Sequence, residues 1–214
     1  NELIYGKDID LYCNRIKSYN PLTIENLKKM ANDVTKVTKD ILPDQKLDCV
    51  AFGCTSGTIA SGYESIFEKV NLAKPNTKVT TPITSTINAL KDLKINKISI
   101  FTPYTEKINQ SVINYFKGEE IEISEFSYFD IASDLDIGKV DPNHLFDALV
   151  KTDLSKSDAL FVSCTALPIL SIINDLEKKI GKIVLSSNQT LIWDTLKQVG
   201  FKNKIVGYGE LFNN

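Results

Sequence analysis

Short apolar runs alternate with longer stretches whose apolar residues recur at helical spacing. The runs Ile9 to Cys13, Cys49 to Phe52, Lys97 to Phe101, Ile121 to Phe126, Ala159 to Val162, Ile183 to Leu185 and Ile205 to Val206 read as buried parallel strands. Between them, residues 24–42 line up Leu27, Met30, Ala31, Val34, Val37 and Ile41 on one helical face. Residues 83–93 do the same with Ile83, Ile87, Leu90 and Leu93, behind Thr81 as cap and Pro82 as first residue. Further helices are expected over 105–117, 142–151, 168–180 and 189–199. Strand and helix in alternation imply βαβ units with right-handed crossovers, hence an α/β fold with mainly parallel sheets flanked by helices.

The pattern also repeats. Leu47-Asp48-Cys49-Val50-Ala51-Phe52-Gly53-Cys54-Thr55 is echoed by Ser157-Asp158-Ala159-Leu160-Phe161-Val162-Ser163-Cys164-Thr165. Lys78-Val79, followed by Thr84, Leu90 and Leu93, is echoed by Lys182-Ile183, followed by Thr190, Leu196 and Val199. Two pseudosymmetric lobes would produce both echoes. We assign residues 1–93 with 190–214 to the first and 94–189 to the second, with a site in the cleft between them. The second lobe opens on the strand at Lys97; nothing precedes Ile9 to match it, so a strand and its loop are expected to be missing from the amino end.

Composition narrows the function classes. The chain has 214 residues, 43% of them hydrophobic, enough for a sizeable core. A formal net charge of −2 speaks against a nucleic-acid surface. No apolar run reaches the roughly 18 residues that span a bilayer, and no signal peptide is visible. A cytoplasmic protein is therefore expected, with no membrane partner; a homo-oligomer is compatible with the sequence but not specified by it. Of the four cysteines, none forms a C-x-x-C pair. Cys13 and Cys49 read as ordinary reduced thiols, Cys49 inside an apolar strand. The single histidine, His144, falls in a first helical turn behind Asp141 and Pro142 and reads as a surface residue, so no multi-histidine metal site exists. Arg15 is the sole arginine, and an anionic ligand is one use for it.

Cys54 and Cys164 are different. Each follows an apolar strand and is expected to precede a helix, where free N–H groups favour thiolate and where open α/β sheets keep their ligands. In Cys54-Thr55-Ser56-Gly57-Thr58 the hydroxyls of Thr55 and Ser56 add donors, and Gly57 permits close approach, so the loop suits a carboxylate. One Cys-Thr alone is better explained as a cap or core element; two at matching repeat positions put two thiols at one cleft. Such a pair can take a proton from one face of a carbon and return one to the other, or divide into nucleophile and acid/base.

These segments, with Thr81-Pro82-Ile83-Thr84, Phe101-Thr102-Pro103-Tyr104, Val162-Ser163-Cys164-Thr165-Ala166-Leu167 and Ser186-Ser187-Asn188-Gln189-Thr190, resemble the aspartate/glutamate racemase superfamily. The resemblance is nearest to the branch of maleate cis–trans isomerases, arylmalonate decarboxylases and ectoine-utilisation proteins, and runs from about residue 8 to residue 209. It implies two lobes around one site without metal or organic cofactor. It implies that Cys54 adds to a double bond and Cys164 acts as acid/base. It further implies that Thr55 and Ser56 hold a carboxylate, that Tyr104 hydrogen-bonds substrate, and that Thr165 offers its amide. Tyr104 in a plain capped turn after Pro103 is the alternative. Two departures stand out. The substrate-binding loop of the family's first strand is not in this sequence, and residues 130–138 contain Ser133 but no asparagine. Carrying both cysteines favours an isomerase or racemase of a small carboxylate. A decarboxylase or hydrolase on the same scaffold, or a carboxylate-binding protein, are the alternatives.

Overall fold

A computed structural model describes residues 2–4 and 6–213. Among the described residues, six strands form two separate parallel sheets. β1 (Cys49–Ala51) and β2 (Lys78–Thr80) pair with each other. β3 (Lys97–Thr102), β4 (Glu122–Tyr128), β5 (Ala159–Val162) and β6 (Ile183–Ser186) form a sheet of order β4-β3-β5-β6. The helices are α1 (Ile24–Ala31), α2 (Val34–Lys39), α3 (Thr55–Ser61), α4 (Tyr63–Ala73), α5 (Pro82–Leu93), α6 (Glu106–Gly118), α7 (Asp134–Ile137), α8 (Pro142–Val150), α9 (Ile173–Ile180) and α10 (Ser187–Gln198). No helix among the described residues is long and apolar enough to cross a membrane.

The α/β class and the parallel pairing follow the apolar pattern, and most differences lie where that pattern lacked a partner. Ile9 to Cys13 is not a strand: Leu11 and Tyr12 are exposed, and without a neighbouring strand an apolar run gains nothing from extension. Ile205 and Val206 form none either; Ile205 is buried against the C-terminal 3-10 turn (Glu210–Asn213), and Val206 faces solvent. The helical face over 24–42 is split, because the N–H groups of Asn32 and Asp33 bond back to Lys29 and Met30 in a tightened turn that ends α1. Helix formation after Leu167 is delayed past Pro168 to Ile173.

Two apolar clusters hold the fold. The larger covers both faces of the four-stranded sheet, with Ile98, Ile100, Leu160, Phe161 and Val184 buried and Phe116 packed edge-on against Phe161 at 5.4 Å. The smaller joins Met30, Val34, Val50, Phe52, Ile66, Val70 and Val79 around β1 and β2. α10 links the two. It leaves β6 through a capping box, Ser186 with Gln189, and then runs against α5 and past β1 and β2. Polar ties fix it there: Ser85 donates to Asp194 at 2.8 Å, and the hydroxyls of Thr80 and Thr195 lie 2.7 Å apart.

Candidate active site

Phe52 and Gly53 carry the chain from β1 to Cys54, which is the N-cap of α3. With extended backbone angles, its sulfur accepts the Gly57 N–H at 3.3 Å, and its carbonyl accepts the Thr58 hydroxyl at 2.8 Å. A Cβ at position 57 would lie 2.5 Å from Met30 Cε and 2.8 Å from Cys54 Sγ, so a side chain there would push these atoms aside. The Ser56 hydroxyl sits 4.0 Å from the same sulfur. Cys54 packs against both apolar clusters, so it stands at their junction.

Cys164 is held differently from the expectation. It does not precede a helix; residues 165–172 form turns before α9. Its backbone adopts φ +90°, a region that residues with side chains seldom occupy and that costs about 1–3 kcal/mol. Packing sustains that conformation, since the residue is 5% exposed, and its N–H donates to Ser187 Oγ at 3.0 Å.

Ser187 is the point where the two cysteine loops meet. The same Oγ accepts from Thr55 Oγ1 at 2.8 Å, so one hydroxyl binds the residue after Cys54 and the amide of Cys164. A second tie runs from Thr165 Oγ1 to the Gly53 carbonyl at 2.8 Å, and Asn188 Nδ2 donates to the Thr165 carbonyl at 3.1 Å. The Thr55 and Thr165 hydroxyls are therefore engaged within the protein. Tyr104 is buried after β3 and held by the Asn109 amide on its carbonyl at 2.9 Å. Its hydroxyl favours the Cys164 thiolate, and the charges of both cysteines oppose its own ionisation. Beside it, the buried Ser163 hydroxyl lies toward Tyr104 without closing a hydrogen bond.

Electrostatics correct the expected low-pKa thiolates. Burial pushes Cys54 up to about 11, against the Gly57 N–H and the Ser56 hydroxyl, which favour the anion. Burial likewise pushes Cys164 up to about 12, against the Ala166 N–H and Tyr104, with Cys54 and Asp134 raising it further. The helix start supplies donors, but too few to replace the water that burial removes. That Cys54 acts on Cys164, and both act on Tyr104, places the three in one electrostatic neighbourhood.

The other candidates stay outside it. His144 is exposed and stacks on Phe129, and the Arg15 charge does not register at either thiol. Cys13 is exposed; Cys49 is partly buried with its sulfur 3.9 Å from Thr80 Oγ1. A cavity of about 270 Å³ lined by Trp193, Leu196, Phe201 and Phe212 contains no cysteine. Sequence reasoning missed Ser187, Asn188, Ser163 and Asp134. The first three stand in motifs it singled out, at a strand end or helix start, and that position was the signal available for them.

The profile of the family described as arylmalonate decarboxylase matches residues 19–212. The chain belongs to that family. Among relatives of this arylmalonate decarboxylase family member, the maleate isomerase of Alcaligenes faecalis is 27% identical over 210 residues, covering 93% of this chain and 80% of the relative. The fold matches the solved maleate isomerase Iso from Pseudomonas putida S16 with a TM-score of 0.89, at 22% identity over 99% of this chain and 88% of that one. It equally matches a Nocardia farcinica maleate cis–trans isomerase, a cysteine-to-serine mutant with a covalently bound succinylcysteine intermediate. That TM-score is 0.89, at 19% identity over 99% of this chain and 90% of that one.

Proposed function

We propose that this chain is a cofactor-independent isomerase of a small unsaturated carboxylate, with Cys54 as nucleophile and Cys164 as acid/base. The observation that carries this reading is the joining of both cysteine loops through Ser187, with Tyr104 in the same buried neighbourhood. The covalent succinylcysteine in the Nocardia farcinica structure supports it by showing what a cysteine of a like fold can do. In our reading the first lobe comprises residues 1–93 with 190–214, the second 94–189, and the substrate lies where they meet. Thr55, Ser56 and Thr165 then bind the carboxylate, largely through backbone amides because two of their hydroxyls are committed elsewhere.

The chemistry balances within the pair. With one proton between the two sulfurs, the Cys54 thiolate forms a bond to one alkene carbon, and the alkene electron pair takes the Cys164 proton at the other. The resulting carbon–carbon single bond rotates. Cys164, now thiolate, removes the proton again, the carbon–sulfur bond breaks, and the alkene re-forms with Cys54 as leaving group. Tyr104 stabilises Cys164 while it carries the negative charge.

Replacing either cysteine by serine tests the division of labour. Cys54→Ser and Cys164→Ser should each lose most turnover, about a thousandfold, and the double mutant should lose little more, because the two act as a unit. Conversion of a cis alkene carboxylate is followed by NMR. Near-normal conversion by Cys54→Ser would sink this reading; loss of carbon dioxide from a malonate-type diacid, abolished by Cys164→Ser and kept by Cys54→Ser, would favour a decarboxylase, which needs only the Cys164 proton.

A further inference from the structure

Asp134 is a carboxylate that the mechanism above leaves unused. Its place is built by the backbone: Phe129 N–H bonds to the Thr102 carbonyl at 3.1 Å and Ile131 N–H to the Pro103 carbonyl at 2.8 Å, immediately before Tyr104. The segment is then clamped from the other side, with Leu22 N–H on the Ala132 carbonyl at 2.7 Å and Asp134 N–H on Asn20 Oδ1 at 2.9 Å. Ile137, one turn on, is buried in the same apolar cluster as Tyr104 and Cys164. Asp134 is thus fixed at the carboxyl ends of β3 and β4 beside the site. Its charge registers at both Cys54 and Cys164.

The carboxylate is partly buried, and among the described residues it has neither an ion pair nor a side-chain hydrogen bond. Lys139, the cation one turn away, is taken by exposed Asp136 at 2.9 Å. Burial alone moves Asp134 upward, with no neighbouring cation or hydrogen-bond donor to offset it. A desolvated carboxylate without a partner has acceptor capacity to give to a ligand. A second substrate carboxylate beside it would meet a like charge with no cation between them.

We propose that Asp134 determines specificity, selecting substrates that carry one carboxylate and, at the other end, a hydrogen-bond donor such as a carboxamide, rather than dicarboxylates. This rests on the isomerase reading for the reaction but not for the binding. The test compares maleate with its half-amide, maleamate, as substrates, and succinate with succinamate as unreactive ligands by calorimetry. All four are measured on the wild type and on Asp134→Asn.

The wild type should prefer the half-amide in both assays by about tenfold, and Asp134→Asn should abolish or reverse that preference. Asp134→Ser, checked for folding by circular dichroism, serves as the second variant. A wild type that prefers the diacids, a preference unchanged by both variants, or no binding of any of the four compounds overturns the proposal. If the half-amide is preferred in binding, Asp134→Asn removes that preference, and neither alkene is isomerised, Asp134 keeps its role and the isomerase reading falls.

Discussion

Cys54 and Cys164 carry different local designs for the same atom. One is an N-cap in relaxed extended geometry, the other a strained turn residue at φ +90°, and both are desolvated enough to stay protonated at neutral pH. If the active form holds one proton between the two sulfurs, kcat/KM should rise about tenfold per pH unit from pH 7 toward pH 10, levelling as the lower thiol ionises near 11. A pH-independent rate over that range would contradict it. Stability runs the other way. Both folded thiols lie above the unfolded value of about 8.5, so the stability they contribute is complete below that pH. It is lost as pH rises through about 11 and about 12. Thermal melts should show this alkaline loss, and Cys54→Ser should lessen it. Gly57 belongs to the same scale. Gly57→Ala must push Met30 or the Cys54 sulfur aside, costing about 1–3 kcal/mol in denaturant titrations and lowering turnover beyond that.

Among the elements, α10 decides the site. Its first residue, Ser187, accepts from the Cys164 amide and from Thr55, and its later turns lie on α5 and the two-stranded sheet. Ser187→Ala leaves a buried amide and a buried hydroxyl without their acceptor, which costs about 1–3 kcal/mol. The Cys164 turn would also be freed from its strained angle, so kcat should fall while far-UV circular dichroism stays native. Thr55→Val removes one of the two bonds and should have a smaller effect on kcat; equal effects would separate Ser187 from Cys164. The expected elements were legible where they were long and had a neighbour. β3, β5 and α5 correspond closely to their patterns, with α5 announced by Thr81 and Pro82. α3 is the helix expected behind Cys54, whereas α4 went unread: of its residues only Ile66 and Val70 are buried, and Gly62 at φ +82° sets it apart from α3.

At the scale of the molecule, the two sheets differ in how much holds them. β1 and β2 are three residues each and rest on the smaller cluster, whereas β3 and β5 lie inside the larger one with buried residues on both faces. Hydrogen exchange should therefore show β1 and β2 amides opening at lower free energy than those of β3 and β5. Equal protection throughout would mean that α10 makes the two clusters one cooperative unit. By itself, the sequence determined the α/β class, the parallel strands and the two Cys-Thr segments at strand ends, because burial imposes a local period and repeats are visible as text. Only the tertiary structure decided that Cys164 sits in a strained turn, that burial raises both thiols, that Ser187 ties the two cysteine loops together, and that the Asp134 charge reaches both sulfurs. Desolvation and hydrogen bonding depend on residues far apart in the chain: Ser187 lies 132 positions from Thr55, and no local pattern reports such a meeting.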